Sequence, residues 1–292
     1  MKNIESADYR VAGRISLKSV PTVPDFEISE DDGKDLLKDL AENIGKFQER
    51  MYAQNRYSVL ICLQGMDTSG KDSLIREVFS EINPRGVVVH SFKTPTSSEL
   101  EHDYLWRHYL ALPEKGKIAV FNRTHYENVL VTRVHPEYLL NENLPEISSV
   151  DDVSDEFWHS RMEQMKNFER HLVENGTIVI KLFLHLSKEE QRQRLLRRLD
   201  EAKHNWKFSP NDLKERERWD DYMLCYEDAI NRTSTDIAPW HVIPADDKLS
   251  TRIIAAKLIA DELEKYPQVQ FPELDEKIQE RVSEYRRALE QE

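Results

Sequence analysis

Cysteine is nearly absent from this 292-residue chain. There are two, Cys62 and Cys225. Two cannot form a disulfide framework or a four-ligand zinc site by themselves, so both read as core side chains and the chain is expected in a reducing, cytoplasmic compartment. Long apolar runs are missing too. The longest, such as 59–63, fall far short of the roughly 18 residues that a membrane span needs. The first 31 residues lack the apolar segment of a secretory signal. Positive charge is in deficit, with 41 Lys and Arg against 54 Asp and Glu, a formal net charge of −13. Such a chain is a poor partner for nucleic acid unless basic residues cluster locally. The ten histidines show no metal-ligand spacing. Glycine is scarce as well, with eight in all, which makes two of them within one six-residue window, Gly65 and Gly70, informative.

What is present is charge and periodicity. Charged residues make up 33% and hydrophobic ones 39%, the balance of a soluble, helix-rich protein with long solvated faces. Short apolar runs over 58–64, 87–91, 117–122, 177–185 and 241–244 read as buried parallel strands. Period-3.6 segments alternate with them: 34–52, a stretch from Gly70 to Pro84, then 98–110, 155–174, 187–201, 211–232 and 248–266. Ser187 with Glu190 makes a capping box, and Ser209-Pro210 a helix entry. Strands alternating with helices predict an α/β fold, a parallel sheet wound on both faces. Residues 1–33 read as an extended arm, 34–270 as one domain, 135–154 as a polar insertion and 271–292 as a charged terminal helix. Trp206, Trp219, Tyr222 and Trp240 are expected to pack rather than stack on bases.

The chemistry concentrates in Gly65-Met66-Asp67-Thr68-Ser69-Gly70-Lys71-Asp72-Ser73, between a predicted strand and a predicted helix. That context defines a P-loop. Glycines let the chain turn tightly, so that backbone N–H groups face phosphate oxygens, and the helix adds its free N-terminal N–H groups and positive dipole end. Lys71 adds a full charge. Gly65, Thr68, Ser69, Gly70, Lys71 and Asp72 are therefore phosphate-binding candidates. Position 72 is Asp where Ser or Thr commonly holds Mg²⁺. Asp67 puts a carboxylate inside an anion cradle, and a cation between the two resolves the repulsion, so Asp67 is expected to hold Mg²⁺ directly or through water. The alternative for Asp67 is an Asx turn.

The third predicted strand ends in Asn122-Arg123-Thr124-His125-Tyr126-Glu127. Ligands of open parallel sheets sit beyond strand carboxyl ends, so this cluster should face the loop. Asn122 stands where such strands commonly carry a metal-binding Asp, and Glu127 offers a carboxylate nearby. Arg123 can fork onto a phosphate. In the basic stretch 191–198, Arg194 and Arg198 share a helical face and are expected to close over phosphates as part of a lid. Arg192 and Arg197 read as solvated. Lys93 and Arg133 extend the positive track.

Together these residues resemble the polyphosphate kinase 2 family over about 30–265. The likeness rests on 65–72, on Phe121-Asn122-Arg123-Thr124-His125-Tyr126-Glu127, on the lid stretch 187–210 with Asn205-Trp206-Lys207-Phe208-Ser209-Pro210, and on Arg218-Trp219-Asp220-Asp221-Tyr222 and Ala238-Pro239-Trp240. The resemblance implies a P-loop kinase fold similar to thymidylate kinases, with a helical lid at about 187–215. It also implies reversible, Mg²⁺-dependent transfer of a terminal phosphoryl group between inorganic polyphosphate and AMP or ADP, in a homodimer or homotetramer. By resemblance Asp67 serves the metal, Lys71 and Arg123 the phosphates, and Arg194 and Arg198 the lid. Many members that act only on diphosphates carry Asp at position 122 and a different following string. The Asn-Arg-Thr-His-Tyr-Glu string is similar to members that phosphorylate AMP, or both AMP and ADP; by that likeness Asn122 and Glu127 are candidates for the nucleotide, with a metal contact by Asn122 or Glu127 as the alternative. An ATP-dependent nucleotide kinase would share loop, fold and lid. A GTPase switch would need an Asn-Lys-x-Asp string, which the sequence lacks.

Overall fold

The computed structural model describes residues 4–292; positions 1–3 of the expected arm lie outside the described residues. In chain order the elements are α1 (Glu30–Gln54), β1 (Ser58–Gly65), α2 (Lys71–Val78), β2 (Val87–Ser91), α3 (Ser97–Leu100), α4 (Trp106–Tyr109), β3 (Ile118–Asn122), α5 (Glu127–Val134), α6 (Asp155–Glu174), β4 (Thr177–His185), α7 (Lys188–Asp200), α8 (Pro210–Glu217), α9 (Trp219–Thr233), β5 (Trp240–Pro244), α10 (Lys248–Glu264) and α11 (Glu276–Glu290).

The five strands form one sheet in the order β2-β3-β1-β4-β5, every neighbouring pair parallel. β1 and β4 are buried along their whole length, as continuous apolar runs covered on both faces must be. Alternation divides their side chains. Val59, Ile61 and Leu63 join one core with Leu40, Ile44 and Met51 of α1 and Ile254, Leu258 and Ile259 of α10. Leu60, Cys62 and Phe121 point the other way, toward Phe168 and Leu172 of α6. The second face continues with Trp240, Val242, Tyr226 and Leu130 from β5, α9 and α5. Both cysteines are buried and free.

Two expected helices are interrupted. Segment 98–110 breaks between α3 and α4 because the Asp103 side chain accepts from the Leu105 N–H (2.9 Å) and its carbonyl from the Trp106 N–H (3.0 Å). This local turn competes with the helix. Segment 211–232 breaks at Arg218, where α8, with no buried residue, gives way to α9, which buries Trp219, Tyr222 and Tyr226. The exposed stretch and the core-facing stretch thus lie on separate helices. The short helix α5 was not expected. Trp219, Tyr222 and Trp240 pack as anticipated, but Trp206 is 77% exposed: it sits on a 3-10 turn between α7 and α8 that buries none of its residues.

Residues 4–29 carry short 3-10 turns and an isolated antiparallel bridge between Arg10 and His241. They lie along the β5 edge: Val11 N–H donates to the Trp240 carbonyl (2.9 Å), and the Leu17 carbonyl sits 3.1 Å from His185 Nε2. Among the described residues, no helix is long and apolar enough to cross a membrane.

Candidate active site

Both glycines of the β1–α2 loop are needed for its shape. Gly70 has φ +103, and a Cβ on Gly65 (φ +152) would come within 2.8 Å of Ser69 Oγ and 3.0 Å of the Leu184 carbonyl. Thr68 also lies in the left-handed region, at φ 67, and so does Arg123, at φ 61. Non-glycine residues take this conformation at a cost, and they gather at functional sites. Lys71 opens α2 and folds back over the loop. Its ammonium donates to the Gly65 carbonyl (2.6 Å) and the Met66 carbonyl (3.1 Å), with Ser69 Oγ at 3.4 Å. Burial, then the neighbouring Arg123 cation, brings its pKa down to about 8, against the pull of Asp67, Glu127 and Asp72.

The β3 end faces this loop. Arg123 holds Asp67 Oδ1 with Nη2 at 2.5 Å and reaches Glu127 with Nη1 at 3.4 Å. Glu127, above all, holds the guanidinium in its charged form. Asn122 donates from Nδ2 to Asp72 Oδ1 (2.7 Å), while its own Oδ1 is buried without a partner. Gly65–Ser73, Asn122, Arg123 and Lys93 thus meet at the carboxyl ends of adjacent strands, where Asp67–Ser73, Ser91, Lys93, Asn122 and Arg123 line a cleft of about 530 Å³.

The basic helix divides. Arg198 lines the cleft and pairs with Asp212 of α8 (2.8 Å). Arg194 borders the same cleft, yet it is 5% exposed and all its hydrogen bonds go to protein atoms. Arg133 stands apart from the cleft lining: it pairs with Asp228 (2.8 Å) and lies over the Trp158 ring. The expected positive track therefore does not run through it.

Sequence reasoning missed two groups. Lys248 and Arg252, at i and i+4 on α10, continue the cleft wall together with Arg76 and Arg197. Among the described residues neither Lys248 nor Arg252 forms an ion pair, and Arg252 Nε is buried without a partner. Burial lowers the pKa of Lys248, and Arg194, Arg197 and Arg252 lower it further. The available signal was a pair of cations one helical turn apart just beyond a strand end. The second group lies beneath the site. Lys181, fully buried in β4, donates to Glu169 Oε2 (2.7 Å), the Thr233 carbonyl (2.7 Å) and Tyr126 Oη (3.1 Å). Tyr126 donates to Glu169 Oε1 (2.7 Å), and His125 Nε2 lies 3.4 Å from the same oxygen. A lysine inside an otherwise apolar strand was the visible sign.

A parallel sheet, a strained glycine loop crowned by a buried lysine, and facing basic side chains define a P-loop phosphotransferase. The family model described as "Polyphosphate kinase 2 (PPK2)" matches residues 27–272. The chain is 45% identical over 273 residues to an ADP-polyphosphate phosphotransferase of Rhodopseudomonas palustris, covering 92% of this chain and 93% of that one. It is 43% identical over 270 residues to an AMP/ADP-polyphosphate phosphotransferase of Meiothermus ruber, covering 89% and 95%. The crystal structure of polyphosphate kinase 2 from Arthrobacter aurescens superposes with a TM-score of 0.85 at 36% identity, over 94% of each chain. The chain belongs to the polyphosphate kinase 2 family and is an enzyme of polyphosphate–nucleotide phosphotransfer.

Proposed function

We propose that this protein moves the terminal phosphoryl group of inorganic polyphosphate, with Mg²⁺, onto AMP and ADP, giving ADP and ATP, and that it runs in both directions. The observation that carries this reading is the continuity of positive charge. From Lys71 the cleft wall passes to Lys248 and Arg252, which form no ion pair among the described residues. In a chain of net charge −13 such cations are stabilised best by a polyanion longer than the phosphates of one nucleotide.

In the proposed reaction a nucleotide phosphate oxygen forms a bond to the terminal phosphorus. The bond to the bridging oxygen breaks, and its electron pair leaves with the shortened chain. The attacking phosphate is already ionised near neutral pH, so little acid–base work is required. Lys71 and the loop amides hold the transferring group, and Arg123 exchanges its carboxylate partners for phosphate oxygens. Arg198 closes the cleft from the lid. Asn122 and Glu127 orient the nucleotide.

The donor set suits Mg²⁺ shared with substrate. Asp67 offers a hard carboxylate at the cradle, Asp72 lies beside it in the lining, and the unpartnered Asn122 Oδ1 is a buried neutral donor. Among the described residues no three acidic or histidine side chains cluster as a closed cage, in keeping with an ion that takes one or two carboxylates and completes its shell with phosphates and water. Bound there, Mg²⁺ would neutralise charge on the reacting phosphates.

The test is a turnover assay with purified protein, Mg²⁺, long-chain polyphosphate and AMP, without any nucleoside triphosphate. ADP should form, followed by ATP. No product under these conditions, together with phosphorylation of dTMP by ATP, would replace this reading with an ATP-dependent nucleotide kinase. Light scattering checks the expected homodimer or homotetramer.

A further inference from the structure

The first lid helix, α7, is fastened to the phosphate loop. Gln191 Nε2 donates to the Asp67 carbonyl (3.0 Å). Arg194 Nη1 donates to the carbonyls of Thr68 (3.0 Å) and Ser69 (3.2 Å). Three successive loop carbonyls are thus held by two side chains one helical turn apart. The other donors of Arg194 are equally occupied: Nη2 reaches the carbonyls of Ala245 (2.7 Å) and Asp246 (3.0 Å), and Nε reaches Glu190 Oε1 (2.7 Å). A guanidinium has five N–H groups, and all five are taken by protein atoms. Both side chains are buried, Gln191 at 1% and Arg194 at 5% exposure.

We infer that Arg194, with Gln191, is a positioning residue that splints the phosphate loop, and that it does not itself bind the transferring phosphate. The inference rests on the phosphotransfer reading above. A trans peptide directs its carbonyl and the following N–H oppositely. Fixing the Thr68 and Ser69 carbonyls on Arg194 therefore turns the next two N–H groups away from it. One of them, Ser69 N–H, closes the turn on the Met66 carbonyl (3.1 Å). The other, on Gly70, is left for an anion. The splint also holds Thr68 in its left-handed conformation, so the loop is shaped before substrate arrives and needs no reorganisation during transfer. Through Ala245 and Asp246 the same guanidinium joins the loop to the connection that leads into α10.

Arg194→Lys and Arg194→Gln separate splint from ligand. A lysine keeps the charge but cannot span four carbonyls. The splint predicts that both variants lose at least about tenfold in kcat, with nucleotide KM within about twofold. The salt dependence of polyphosphate affinity should match the parent, because no phosphate contact is lost. If Arg194→Lys instead keeps kcat while Arg194→Gln weakens polyphosphate binding with a shallower salt slope, Arg194 is a phosphate ligand and the inference fails. Hydrogen exchange without substrate gives a second readout. Amides 67–71 should exchange about tenfold faster in Arg194→Lys and the β4 amides unchanged; unaltered loop exchange overturns the splint. Should the Arg194 variants not fold, Gln191→Leu takes their place, with faster loop exchange and a three- to tenfold lower kcat expected, and parental values contradicting the inference. Because exchange needs no substrate, failure of the parent protein to use polyphosphate would remove the phosphotransfer reading without deciding the splint.

Discussion

Two sets of charged side chains lie within this fold, and they are treated in opposite ways. Under the β3 end, Lys181 and Glu169 face each other at 2.7 Å inside the core, joined by Tyr126 and the Thr233 carbonyl. At the cleft, Lys248 has mainly like charges for neighbours, Arg194, Arg197 and Arg252, and Arg252 feels Glu77 and Asp247 as well as Arg76 and Arg194, yet among the described residues neither forms an ion pair. Burial costs both sets solvation. The first recovers it from its own partners, so it acts as scaffold. The second recovers only part of it, from Glu77, Asp247 and Glu190 without an ion pair, which is what the proposed polyanion surface requires. Paired charge fixes where Arg123-Thr124-His125-Tyr126 sits, and unpaired charge decides what the cleft takes.

The sharpest way to break this contrast is to orphan one member of the paired set. Lys181→Met leaves the buried Glu169 carboxyl without its cation, and about 3–5 kcal/mol of stability should be lost. Urea unfolding measures it. Adding Glu169→Gln should recover part of the loss, and a single variant as stable as the parent would mean that the pair is not scaffold.

Lys71 lies between the two sets. Its pKa, lowered to about 8 chiefly by burial, makes the free enzyme's grip on an anion depend on pH. Lys71 is charged below that value and neutral above it. Polyphosphate kcat/KM should therefore fall about tenfold for each pH unit above 8 while nucleotide binding stays nearly level. A flat profile to pH 9.5 would show the lysine charged throughout.

A smaller effect is expected where the unpaired set is trimmed. Lys248→Ala or Arg252→Ala should raise KM for long-chain polyphosphate about three- to tenfold and leave kcat within twofold. Tripolyphosphate should be affected less, since a short donor does not reach along α10. In Lys248→Ala the melting temperature should hold or rise, because a neighbour repelled by Arg194, Arg197 and Arg252 is removed. Equal effects on long and short donors would separate this cluster from the polyphosphate path.

The sheet was largely legible in the sequence because its signals are local, although the run 87–91, read as buried, is the edge strand β2, with Val88 and Val89 exposed. The apolar run Thr177–His185 matches the observed strand at both ends, and Gly65 to Ser73 announces its turn by glycine spacing. Less legible was whatever depends on partners remote in sequence. Arg194 and Arg198 look alike one helical turn apart, yet one is enclosed by carbonyls from the loop and from Ala245 and Asp246, while the other meets Asp212 at the rim. No periodicity distinguishes them. Arg133 looked like part of a positive track, but α9 brings Asp228 against it. Lys248 and Arg252 passed as ordinary helical residues until the fold set them in the wall of the cleft that Lys71 also lines. Trp206 was expected to pack, but its turn has no core to pack into.

The most direct measurement is a crystal structure of the protein with Mg²⁺ and a defined polyphosphate of about ten residues. Phosphate density should fill the turn between β1 and α2, contact Lys71, and run on toward Lys248 and Arg252, with Arg194 still on its backbone carbonyls. Phosphates bound elsewhere, with that turn empty at saturating ligand, would contradict the account.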